Sequence, residues 1–93
     1  MNKIIRRIIA TLGLHNPGEL YKVKVSDIIV PAEFKESPPK FKKMAHKREY
    51  FRRNDHFESK IVLNRDFLLI DGYTSYLLAK ENGMKHVEAY FVD

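Results

Sequence analysis

Leu69-Ile70-Asp71-Gly72-Tyr73-Thr74-Ser75-Tyr76-Leu77-Leu78-Ala79-Lys80-Glu81-Asn82-Gly83 is the stretch that decides the fold. The apolar run from Phe67 to Ile70 predicts a buried strand. Asp71-Gly72 breaks it, and an apolar-periodic helix begins at once. Tyr73, Tyr76, Leu77 and Lys80 share one stripe at helical spacing, with Leu78 and Ala79 beside it. Asn82-Gly83 stops the helix, because Gly accepts the left-handed conformation of a C-cap. The unit is strand, tight turn, helix, and the turn carries Asp71, Gly72, Thr74 and Ser75.

Such a turn has two readings. The first turn of a helix has unpartnered N–H groups and a positive partial charge. Gly72 lets a ligand approach the backbone, and the Thr74 and Ser75 hydroxyls can bond an anion there. Alternatively, Asp71 is an N-cap and the hydroxyl residues are ordinary first-turn residues.

Outward from that stretch, 93 residues make one small domain, and a 44% hydrophobic content is enough for a core. No run is long enough to span a membrane, and no signal-peptide pattern opens the chain. The absence of Cys excludes disulfides, thiol catalysis and thiolate metal sites, and fits a cytoplasmic protein. The net charge of +5 is unevenly placed. Residues 1–53 hold 13 Lys/Arg against 5 Asp/Glu, and residues 54–93 hold 4 against 7. The basic first half points to an anionic partner, either nucleic acid, a nucleotide or another protein.

Residues 3–13 predict an amphipathic N-terminal helix with Ile4, Ile5, Ile8, Ile9 and Leu12 on one stripe. That stripe must dock on something: this domain's core is the favoured reading, a second copy or a partner protein the alternative, and a membrane surface is disfavoured because only Lys3, Arg6 and Arg7 are basic there. A linker runs to residue 18, and the core is expected over 20–93. Tyr21, Val23 and Val25 alternate with lysines as a half-buried strand. Ser26-Asp27 is expected to cap a single turn carrying Ile28 and Ile29, and Ala32 to Pro39 to form a loop.

Residues 39–53 predict a helix with Phe41, Met44, Ala45 and Phe51 inward. Its other face carries Lys40, Lys42, Lys43, Lys47, Arg48, Arg52 and Arg53 against a single acid, Glu49. A phosphate-contacting face and a solvated face with snorkelling stems both fit this pattern. Lys60 to Asn64 and Phe67 to Ile70 predict a hairpin. Val87 to Val92 is the last strand, reached by a strand–helix–strand crossover that favours parallel pairing. The histidines show no metal-ligand spacing, so no metal site is expected. The fold class is α/β, a small mixed sheet with packed helices.

From Tyr21 to Asp93 this order resembles the ParB/sulfiredoxin superfamily, also called ParB-like nuclease domains. The matching features are Val30-Pro31 after the first strand, Ser37-Pro38-Pro39 opening a basic helix, and the hairpin from Ile61 to Ile70. Asp71-Gly72-Tyr73-Thr74-Ser75-Tyr76-Leu77-Leu78-Ala79-Lys80, Gly83 and the last strand complete the match. The resemblance implies a nucleotide or phosphate pocket at the start of the helix that follows Gly72, formed by Asp71, Gly72, Tyr73, Thr74 and Ser75. Members of that superfamily bind centromere DNA with CTP as a switch, reduce cysteine sulfinic acid with ATP, or phosphorylate free serine.

Two positions depart from the family. The essential Cys of sulfiredoxin is Tyr73 here, which excludes that reductase chemistry. The phosphate-contacting Arg of the family is Ser75, whose hydroxyl cannot give a charge-assisted bond. Glu33 matches the catalytic acid of the serine-kinase branch, and with Asp71 it could hold Mg²⁺ through water. The expected function is binding of nucleic acid or nucleotide, with Lys40, Lys43, Lys47, Arg48 and Arg52 attracting it. The nucleotide, with Mg²⁺, is the one candidate cofactor. One alternative is phosphoryl transfer or phosphodiester cleavage with Glu33 as base. The other is an interaction domain that uses the Ile stripe.

Overall fold

The computed structural model describes residues 18–92. The expected helix over 3–13, with its Ile stripe, lies outside the described residues. The architecture is mixed α/β. Four strands, β1 (Tyr21–Lys24), β2 (Ile61–Asn64), β3 (Leu69–Asp71) and β4 (His86–Val92), form one sheet in the order β1-β4-β2-β3. Among the described residues three α-helices accompany them: α1 (Ala32–Glu36), α2 (Phe41–Asn54) and α3 (Tyr73–Glu81).

Alternation sets the sheet's two faces. Val23, Ile61, Leu63, Leu69, Val87, Ala89 and Phe91 are buried on one face, while Lys22, Lys24, Glu88 and Val92 are exposed on the other. In register, Val23 pairs with Val87 across the antiparallel β1–β4 ladder, and Leu63 with Phe91 across the parallel β2–β4 ladder. Leu78 and Ala79 of α3 are buried on the core side, and α2 packs against α3.

The crossover differs from expectation. β4 runs parallel to β2 and is not a neighbour of β3. β3 returns antiparallel to β2 on one side, and α3 then carries the chain over to β2's other side. The parallel unit therefore spans from β2 to β4, with β3 and α3 between them in the chain.

The local turns also differ. The single turn near Ile28 is a 3-10 turn at Val25–Asp27. Ile29 is extended, and bonds to Phe67 and Leu69 make it a parallel bridge beside β3. Asn64 organises the hairpin, its Oδ1 accepting from the Asp66 and Leu68 N–H groups at 2.9 Å each. Phe67, expected in the strand, sits in that turn at φ +67°. Its ring is fully buried edge-on to Phe91, which offsets the strain.

The expected loop from Ala32 to Pro39 contains α1. Pro31 supplies the fixed φ of a helix entry and accepts the Phe34 N–H at 3.1 Å, and Pro38 prevents the helix from running on. α2 buries no residue completely. Phe41, expected inward, is 85% exposed at its first position.

Candidate functional site

At the β3–α3 turn, Gly72 takes φ +90°, and the Asp71 carboxylate accepts the Gly72 N–H at 2.8 Å. A Cβ on Gly72 would overlap the Lys60 carbonyl oxygen and lie 2.8 Å from Ile61 Cα. The close approach that Gly72 permits is therefore made by the chain's own backbone at the start of β2. Asp71 is exposed and Tyr73 half-buried, while Thr74 and Ser75 are buried. The Ser75 hydroxyl donates to the Ser59 carbonyl at 2.5 Å.

This arrangement rotates the helix's inner face away from the expected stripe. Thr74, Ser75, Leu78 and Ala79 point inward, and Tyr73, Tyr76 and Leu77 are only half-buried. Small side chains let α3 sit close to the sheet, so size selects the inner face over hydrophobicity. Ser75→Ala leaves the Ser59 carbonyl without its donor, and should cost about 1–3 kcal/mol. Urea denaturation should show a lower midpoint at an unchanged slope.

Glu33 is exposed on α1. Its neighbour Phe34 packs on Tyr73 with ring centres 5.2 Å apart, so α1 and the start of α3 share one end of the molecule. Among the described residues no three His, Asp or Glu side chains come together as metal ligands.

The basic residues of α2 divide into two groups. Lys47 reaches Glu58 at 2.7 Å and the Ser59 hydroxyl at 2.9 Å. Arg48 makes a two-pronged pair with Glu81 at 3.0 and 2.7 Å. Glu49 takes Arg52 at 2.9 and 2.6 Å and Arg53 at 2.9 Å. Lys40, Lys42 and Lys43 make no ion pair among the described residues. Counting acids on α2 alone missed Glu58 and Glu81, which the fold brings to the helix from distant positions. Four of the seven bases are paired this way, with three acids, Arg52 and Arg53 sharing Glu49, and the unpaired bases collect at the helix start around the exposed Phe41.

The same pairs hold the carboxyls below their usual range. Hydrogen bonds from Arg52, with Arg53 adding to them, lower Glu49 to about 2. Lys47 lowers Glu58, and Arg48 lowers Glu81, each chiefly by its hydrogen bond. For depressed carboxyls, the pairing is intact above the ordinary carboxylate pKa and is lost as pH falls through the folded value. Carboxyl-carbon NMR should therefore place the Glu49 midpoint near 2, with Glu58 and Glu81 titrating below an exposed glutamate.

Two concave surfaces accompany these features. One, of about 650 Å³, lies against the Phe51–Phe57 stack and carries Lys22 and Lys60 with the acids Asp55 and Glu88. The other, of about 610 Å³, lies by the C-terminal end of α3 and carries Lys24, Lys80 and Lys85. Sequence reasoning missed the second because its lysines come from three separate elements.

No family model matches the chain, and no curated protein matches it significantly in sequence. Solved structures match it in shape. The C2221 form of a pNOB8-like ParB-N domain superposes at a TM-score of 0.67 and 24% identity, covering 81% of this chain and 29% of that one. A pNOB8-like ParB N-domain superposes at 0.59 and 27% identity, covering 85% of this chain and 31% of that one. This chain thus spans under a third of the length of either. Its fold is that of a ParB-like domain.

Proposed function

We propose that this ParB-like domain binds nucleic acid, with the start of α2 as its contact surface. The observation that carries the reading is the group Lys40, Phe41, Lys42 and Lys43. Its three lysines are unpaired among the described residues, and its Phe is 85% exposed between them. Lysines attract phosphates whatever the sequence, and an exposed aromatic ring offers a platform for an unpaired base. The paired half of α2 contributes less, because Glu49, Glu58 and Glu81 offset three of its four positive charges. Lys40, Lys42 and Lys43 are thus the nucleic-acid contacts, and Lys47, Arg48 and Arg52 are structural.

The start of α3 supports this reading less well than the start of α2. Its Ser75 hydroxyl is engaged with Ser59, and its glycine is packed on β2. The test is fluorescence anisotropy of the full chain with labelled single-stranded and duplex oligonucleotides across a salt series. The reading requires an affinity that falls steeply as salt rises. Binding that is absent at low salt would overturn it.

A further inference from the structure

The second concavity has no role in the preceding reading. It lies between the end of α3 and the 3-10 turn at Val25–Asp27, and is lined by Lys24, Lys80, Lys85, Tyr76, Ser26 and His86 among others, with no carboxylate. We propose that it is a binding site for a phosphoryl group. This proposal does not depend on the reading of α2.

The backbone fixes the three lysines around the space. Lys24 is directly opposite His86 in the β1–β4 ladder, and the Val25 N–H donates to the Lys85 carbonyl at 2.9 Å. Gly83, at φ +64°, turns the chain between Lys80 and Lys85. Lys80 lies over the Tyr76 ring, 5.7 Å from its centre. Lys24, Lys80 and Lys85 thus line one concavity from a strand, a helix and a loop.

Ordinary explanations for these lysines do not fit. None of the three makes an ion pair among the described residues. The nearest acid in sequence, Glu81, is bound to Arg48. A lysine at a helix end often compensates open carbonyls, but these carbonyls are already bonded. Leu78 O accepts from Asn82 N and Nδ2, Ala79 O from Met84 N, and Lys80 O from Gly83 N. A concavity lined by lysines and no carboxylate has a positive potential that favours an anion. The roughly 610 Å³ volume is within the range of small-ligand sites, so it can take a phosphoryl group on a free nucleotide or on a nucleic-acid strand.

The test is an amide NMR titration of the full chain with pyrophosphate, ATP and a thymidine oligonucleotide, each at matched ionic strength. Saturable shifts at Lys24, Val25, Lys80, Lys85 and His86 are expected. Lys80→Glu/Lys85→Glu should bind at least roughly tenfold more weakly. Lys80→Gln/Lys85→Gln removes charge without adding any, and its spectrum reports whether the fold survives. Saturation by pyrophosphate identifies the phosphoryl group itself as the ligand, and saturation by the oligonucleotide alone identifies the strand as its carrier. Either result supports the site. No saturation with any probe, or unchanged affinity in both variants, overturns it. Amides of residues 40–43 report separately on α2, so failure there and failure here are distinguishable.

Discussion

Replacing Gly72 with alanine should destabilise the domain by about 3–5 kcal/mol, adding left-handed strain to a backbone collision. At φ +90° an L side chain is disfavoured, and its Cβ would meet the Lys60 carbonyl and Ile61 Cα. Both neighbours are main chain at the start of β2, so neither can rotate away. Small domains have about 5–15 kcal/mol of total stability, so the loss is a large share of it. At roughly 4–8 °C per kcal/mol, the melting temperature should fall by at least about 12 °C. Gly83→Ala is the matched control. It also has positive φ but nothing within 4 Å of the added Cβ, so only backbone strain is added. Calorimetry showing both variants equally stable would refute the packing role assigned to Gly72.

Lys40→Glu/Lys42→Glu/Lys43→Glu should weaken oligonucleotide binding by roughly a hundredfold or more at low salt, and flatten the log–log salt slope by about 3. The slope is the sharper readout, because it counts displaced counterions and is insensitive to a modest loss of fold. Arg48→Gln should change affinity by less than about threefold, since its charge is already held by Glu81. Phe41→Ala should weaken single-stranded binding by about 1–3 kcal/mol and leave duplex binding nearly unchanged. Its 85% exposure means that the fold does not depend on it. Equal effects of Arg48→Gln and the triple variant would place the contact surface elsewhere.

The strands were legible because a two-residue period shows within a few positions. Val23, the Ile61–Leu63 pair and Val87, Ala89 and Phe91 are buried as the alternation requires. α1 was not legible, since five residues are too few to display a helical period. The inner face of α3 was misjudged for a different reason. Hydrophobicity favoured Tyr73, Tyr76 and Leu77, but close packing selected Thr74, Ser75, Leu78 and Ala79. The Ser75–Ser59 bond joins positions sixteen residues apart, and the Arg48–Glu81 pair thirty-three. Local patterns carry no sign of either. The basic helix was visible in composition, but which of its charges remain free depends on those long-range acids.

The sheet order has a consequence for how the chain is made. β4 lies between β1 and β2, so of the four described strands the latest in chain order must insert between the earliest two. Until His86–Val92 leaves the ribosome, β1 has no strand partner and β2 has only the hairpin strand β3. A nascent chain that has reached α3 therefore presents open strand edges, which are the usual starting points of aggregation. Sheet closure becomes a single late event, and a separate peptide carrying β4 could complete in trans a chain that stops at α3.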